Sequence, residues 1–181
     1  MLITKEIDHA IKCVLHLSID QFGYISAADL STKLMIPREF LSKILQKLVK
    51  SGIVKSFQGM RGGYKLGKSP EAITLWDIFD AFHTLPVVYK CVTNDFTCER
   101  RSYCATRPVW AELLNHIVQR LKSIRFSDLA KNQIDYMHHM ALGIPFFPMP
   151  PLSDPTTVQK EKILPISLKE NSSETIKSST P

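Results

Sequence analysis

The stretch "SAADLSTKLMIPREFLSKILQKLVKSG", residues 26–52, decides the fold. Ser26 is a good N-cap for a short helix with Ala27, Leu30 and Leu34 on one face. Pro37 suits the first turn of a second helix. There Phe40, Leu41, Ile44, Leu45 and Leu48 form the stripe that one side of a helix buries, and Gly52 is placed to stop it. Only Met35, Ile36 and the approach to Pro37 lie between the two, a turn of about three residues. Two short helices joined in this way form a helix-turn-helix. Arg38, Glu39, Ser42, Lys43, Gln46 and Lys47 stay off the stripe. Those nearest the N-terminus of the second helix are placed to meet base edges in a major groove, and the lysines to meet phosphates.

Directly downstream, "IVKSFQGMRGGYKL" spans residues 53–66. Ile53–Phe57 reads as a strand, Gly59–Gly63 as a loose hairpin tip and Tyr64–Leu66 as the return strand. A hairpin in this place is a wing. Arg61, flanked by glycines that allow close approach, suits a minor groove. The charge agrees. Residues 1–70 hold eleven Lys/Arg against five Asp/Glu, whereas residues 71–181 hold twelve of each. The whole net charge of +6 therefore sits on the module with the helix-turn-helix, which points to a double-stranded DNA operator as partner.

Upstream, Ile3, Ile7, Ala10, Ile11, Val14 and Leu15 predict a helix over residues 3–20. Downstream of Pro70, Thr74 caps a helix with Leu75, Trp76, Ile78, Phe79 and Phe82, and Asp77 completes a capping box. Pro108 opens a long helix with Trp110, Leu114, Ile117, Leu121 and Ile124 in the alternation of a coiled-coil seam. An intramolecular core helix has the same pattern. A dimerisation helix fits better, because helix-turn-helix dimers read paired half-sites. Ser127 caps a short last helix to about Gln133. From residue 143 onward the composition turns to Pro, Ser, Thr, Lys and Glu, with seven of the eleven prolines. Such a tail buries too little apolar surface to fold, and "IPFFPMPP" within it reads as linker. The expected fold is mainly α with a small β-hairpin. Its parts are a winged helix-turn-helix domain (1–85), a ligand loop (86–107), a dimerisation helix with a C-terminal helix (108–142) and a disordered tail (143–181).

Several classes are excluded. No run of about 18 apolar residues is present, so no membrane span is expected. Lys5, Glu6, Asp8, His9 and Lys12 interrupt the N-terminus, which therefore does not read as a signal peptide, and the expected location is the cytoplasm. No Gly-rich phosphate loop, metalloprotease motif or nucleophile–base pair supports an enzyme.

"CVTNDFTCERRSYC", residues 91–104, holds three of the four cysteines as Cys91-x6-Cys98-x5-Cys104. A reducing compartment and the odd count disfavour disulfides. Structural zinc prefers Cys pairs two to four residues apart, which this segment lacks. Wider spacing lets a loop wrap an iron–sulfur cluster, and Lys90, Arg100 and Arg101 would offset its charge. Three free thiols in a loop are the alternative. For a fourth ligand the candidates are Asp8, His9, His83, Asp95 and Glu99. Cys13, set among Ile11, Val14 and Leu15, reads as a buried inert thiol.

The chain resembles the family of winged-helix iron–sulfur transcriptional regulators of the IscR and NsrR types. The likeness rests on "FLSKILQKLVKSGIVKS", "GMRGGYKLGKSPEAITLWDIF", the three cysteines and the long helix after them, together about residues 1–135. It implies a homodimer in which the cysteine loop of one subunit lies near the first helix of the other, with Cys91, Cys98 and Cys104 as ligands. Regulators of the IscR type use a histidine three residues after the last cysteine for a 2Fe-2S cluster; this chain has Arg107 there. Regulators of the NsrR type use an aspartate on the first helix with a 4Fe-4S cluster, and Asp8 matches that position. The resemblance therefore favours a 4Fe-4S cluster, with Asp8 contributed by the other subunit; the alternatives are a 2Fe-2S regulator of the IscR type and a cluster-free repressor answering to a small molecule or partner protein. The x6 spacing departs from the usual x5.

Overall fold

The computed structural model describes residues 3–20, 23–59, 62–84 and 98–142. Cys91, Arg61, Lys90, Asp95 and the expected disordered tail lie outside them. Helix α1 (Lys5–Ile19) is capped by Thr4, whose side chain accepts from the Ile7 N–H at 3.3 Å. It buries Ile7, Ala10, Cys13, Val14 and Leu17.

Helix α2 (Ala27–Leu34) starts at Ser26, whose Oγ accepts from the Asp29 N–H and donates to the Asp29 carboxylate at 2.7 Å. It ends on Met35 in the left-handed region (φ 53°), with the Met35 N–H bonded to the Thr32 carbonyl and the Ile36 N–H to the Ser31 carbonyl. These paired bonds make a Schellman motif. Ser31 Oγ donates to the Ile36 carbonyl at 2.7 Å and fixes the turn. In α3 (Arg38–Lys50), Pro37 stands at the N-cap and not in the first turn. Its extended ψ of 133° suits a cap, and its missing N–H would have been unpaired in either place. Leu41, Ile44, Leu45 and Leu48 are buried. At the far end Gly52 (φ 73°) closes a second Schellman motif, through Gly52 N–H to Val49 O and Ile53 N–H to Leu48 O.

Strands β1 (Val54–Phe57) and β2 (Gly63–Leu66) pair antiparallel, Val54 opposite Leu66 and Phe57 opposite Gly63. Ile25 adds a bridge beside β2, with bonds of 3.0 and 2.8 Å to Tyr64. Gly63 permits that approach, since a Cβ there would lie 2.6 Å from the Ile25 carbonyl oxygen. After a 3-10 turn at Pro70–Ala72 comes α4 (Leu75–Ala81), started by the expected capping box: Thr74 N–H to Asp77 Oδ2 at 2.6 Å, and Asp77 N–H to Thr74 Oγ1 at 3.3 Å. The helix ends on His83 (φ 49°), with Thr84 N–H bonded to the Phe79 carbonyl.

Three features differ from expectation. First, α5 (Thr106–Ser123) begins two residues before Pro108, which the first turn tolerates. Second, α6 (Phe126–Ala141) runs well past Gln133, and Arg125, not Ser127, stands at its N-cap. Its start is pinned to the chain before α4 by Phe126 N–H to Ile73 O at 2.9 Å and Leu75 N–H to Ile124 O at 3.0 Å. Once a first turn is anchored, further turns add at little cost. Third, Val118, which lies outside the expected seam, is buried beside Leu114, while Trp110, Ile117, Leu121 and Ile124 are half-buried within one chain. Val109 and Leu113 are the large apolar side chains exposed on α5, and Ile134, Met137 and Met140 those on α6. A single core joins α1, α3 and α4 with Leu30, Val54 and a fully buried Phe126.

Candidate nucleic-acid interface and cysteine site

Burial of Leu41, Ile44, Leu45 and Leu48 turns the opposite side of α3 outward. Arg38, Glu39, Lys43 and Gln46 are exposed there, and Ser42 is half-buried, its Oγ donating to the Arg38 carbonyl at 2.8 Å. Lys50 continues this row seven residues after Lys43. Its spacing from Lys43 and Gln46 puts it on the same face of the helix. Lys47 is placed differently: its ammonium lies 2.7 Å from Glu6 Oε1 and 4.9 Å from the centre of the Phe82 ring. Beside α3, an open cleft of about 440 Å³ lies between the start of α2 (Ser26–Ala28), Arg38 and the wing (Ser56–Gly59, Gly62–Tyr64). The N-terminus of α2 and the Arg38 guanidinium both favour an anion there.

Of the three cysteines expected to ligate, Cys98 and Cys104 are described; both are free and half-exposed. A tight turn links them, with Arg101 N–H bonded to Cys98 O and Tyr103 N–H to Arg100 O. Cys104 stands just ahead of α5. Its Sγ lies 3.3 Å from Thr106 Oγ1. That hydroxyl, then the Arg107 and Thr106 N–H groups, hold the thiol below its ordinary pKa, against an opposing effect of burial that is larger than the help from the Arg100 charge. The thiolate is the form that ligates metal, so this donor fits a thiolate-held iron centre. Cys13 is the contrast: burial pushes its thiol up to about 12, and it is inert packing.

Asp8 is half-exposed on α1, its carboxylate 2.7 Å from Lys12 Nζ and 4.0 Å from His9 Nδ1. The His9 ring packs edge-on against Phe40 at 5.6 Å. His83 is exposed at the end of α4, and Glu99 is exposed beside Cys98. Within one chain, no three of the described His, Cys, Asp or Glu residues are grouped to hold a metal ion. Arg107, in the first turn of α5, has no lone pair to offer a metal. Among the described residues no helix is long and apolar enough to cross a membrane.

Residues 3–132 match the model of a family described as Rrf2, iron-dependent transcriptional regulator. An HTH-type transcriptional regulator of Haemophilus influenzae is 31% identical over 134 residues, which are 74% of this chain and 89% of that protein. The HTH-type transcriptional regulator IscR of Yersinia pseudotuberculosis is 28% identical over 134 residues, 74% of this chain and 81% of its own. Among solved structures, CymR, the global cysteine regulator of B. subtilis, superposes with a TM-score of 0.61 at 26% identity, covering 73% of this chain and 98% of its own. IscR of T. potens, at 22% identity and a TM-score of 0.57, covers 74% and 88% and shares the fold. The Haemophilus influenzae and Yersinia pseudotuberculosis proteins and CymR are each described as regulators. With its helix-turn-helix, wing and outward basic row, the chain belongs to the Rrf2 family of transcriptional regulators.

Proposed function

We propose that the protein is a homodimeric repressor whose operator affinity is set by an iron–sulfur cluster sensing nitric oxide, redox state or iron–sulfur status. The observation that carries this reading is the pair of free, half-exposed thiols Cys98 and Cys104, brought together by a tight turn just ahead of α5. Cys91, Cys98 and Cys104 would hold the cluster, and Asp8 of the partner subunit would complete the site. Arg107 in place of a ligating histidine, together with a carboxylate at Asp8, favours 4Fe-4S over 2Fe-2S. When bound, the cluster supplies a centre that nitric oxide or oxygen can attack. Arg38, Glu39, Ser42, Lys43 and Gln46 read the major groove or its phosphates, and Arg61 the minor groove. The exposed Val109, Leu113, Ile134, Met137 and Met140 supply the apolar surface for pairing of subunits. Ligation by Cys98 and Cys104 orders the entry to α5, and its loss shifts the population toward a form with lower operator affinity.

Anaerobic purification tests this: the protein should contain iron and sulfide, with a Mössbauer spectrum that separates 4Fe-4S from 2Fe-2S. Asp8→Ala should make the cluster more labile; unchanged lability would remove Asp8 from the ligand set. A protein without iron after anaerobic reconstitution would sink the cluster reading. The likeness to CymR then favours a cluster-free repressor answering to a small molecule or partner protein.

A further inference from the structure

Lys47 occupies the last turn of the recognition helix, where a phosphate contact would be expected from sequence. Its ammonium is instead turned back onto the chain. Glu6 Oε1 accepts from Nζ at 2.7 Å, and the Phe82 ring lies under the same ammonium at 4.9 Å. Three elements therefore meet at one charge. Glu6 belongs to the first turn of α1, the helix with Asp8. Phe82 is the C-cap of α4 and is almost fully buried, and the chain leaves it through His83 and Thr84 toward the cysteine segment. Lys43, one turn earlier, is exposed and has no ion pair among the described residues. The two lysines share a helix and not a role.

We propose that Lys47 couples the cysteine site to the recognition helix and does not contact phosphate: the Glu6–Lys47–Phe82 clasp ties α3 to the helix of Asp8 and to the residue where the cysteine segment departs. Its regulatory part rests on the cluster reading above; its electrostatic part does not. In this switch the clasp, closed in the structure, also opens. Closed, it holds the last turn of α3 against α1 and α4. When the end of α4 shifts, the ring leaves the ammonium, and α3 is freed to change its angle to the groove. An exposed ion pair is weak by itself, so the clasp is suited to be broken and remade. An ammonium over an aromatic face adds attraction that depends on where the ring sits.

Two variants, Glu6→Gln and Lys47→Met, are compared with the full-length parent, anaerobically loaded and cluster-free. The first measurement is operator affinity against salt. Each phosphate contact contributes about 0.9 to the slope of log K against log salt. Lys47→Met should keep the parent slope, whereas Lys43→Met should lower it by about 0.9. The second measurement is the ratio of operator affinities between the loaded and cluster-free forms. Either variant should shrink that ratio about three- to tenfold, and the double variant should shrink it no further, because both break one clasp. A staple that only holds the fold together would weaken both forms equally and leave the ratio as in the parent; that result overturns the proposal. So does a slope lowered by about 0.9 in Lys47→Met, which would return Lys47 to the phosphates. If iron and sulfide are absent from the parent, the cluster reading fails by itself, and the salt slope still decides what Lys47 does.

Discussion

Cys104 Sγ lies 3.3 Å from Thr106 Oγ1, at the point where the chain enters α5. This hydroxyl is the largest of the influences that favour the thiolate. Replacing it with a methyl, as in Thr106→Val, removes the bond and keeps the shape. In cluster-free protein near pH 7 the rate of Cys104 alkylation should fall, following the smaller thiolate fraction. The pH–rate profile of iodoacetamide labelling, resolved by mass spectrometry, checks this. An unchanged profile would leave the N–H groups of Thr106 and Arg107 as the cause.

The outward row on α3 makes a quantitative demand on DNA binding. Lys43→Ala should weaken binding to every sequence alike and lower the salt slope by about 0.9. Arg38→Ala should cost about 1–3 kcal/mol and relax preference at one base pair. Titrations of operator and scrambled duplex at several salt concentrations separate the two. Uniform loss in both variants would place Arg38 on the phosphates.

Three helix ends use the left-handed region, at Met35, Gly52 and His83. Gly52 accepts φ 73° at no steric cost, whereas Met35 at φ 53° carries a Cβ. Gly52→Ala should therefore destabilise by about 1–2 kcal/mol, and Met35→Gly should stabilise by up to about 1 kcal/mol. Met35 is 88% exposed, so its side chain is lost without a packing penalty. Urea midpoints of both variants check the opposite signs.

Phe126 is fully buried in the core shared with α1, α3 and α4, yet it lies more than 40 residues beyond α4. Phe126→Ala should cost about 3–5 kcal/mol. The loss should appear in denaturant unfolding of the whole chain, with one transition, because the core is shared.

His16 links stability to pH. Burial, aided by the Lys33 charge and opposed by Asp20, holds its imidazole below the ordinary value. As pH falls through about 6.5, the unfolded chain takes up a proton that the folded chain still refuses. The unfolded state then binds more protons, so stability present at neutral pH is lost on acidification. Melting temperature should drop between about pH 7.5 and 5.5, and His16→Gln should flatten the difference. Parallel curves for parent and variant would clear His16.

The parts legible in the sequence are those where one residue type acts locally. The Leu41–Leu48 stripe, the stop at Gly52 and the Thr74–Asp77 box each need only a few neighbouring residues, and all stand where the pattern put them. The second half of α6 was not legible. Ile134, Met137 and Met140 remain exposed within one chain, so burial gives "DYMHHM" no pattern to display, and its helix grows from an anchor at Phe126. The heptad stripe was legible as a stripe, but not as to which surface it meets, since a core and a partner ask for the same side chains. The Ile25–Tyr64 bridge is a single residue pair and has no periodicity to read. At the cysteine site, spacing named the ligand types, while the environment that favours a Cys104 thiolate depends on where α5 begins.

The stitch between residues 73–75 and 124–126 has a consequence for taking the molecule apart. A fragment ending at residue 85 would keep the helix-turn-helix and wing but lose Phe126 and both backbone bonds. Such a fragment would carry an open hole beneath α1 and α4, and a chimera that transplants this reading head onto another sensor would inherit the same defect. The portable unit extends through at least residue 130, so DNA reading and the segment after the cysteines must be inherited, exchanged and evolved together.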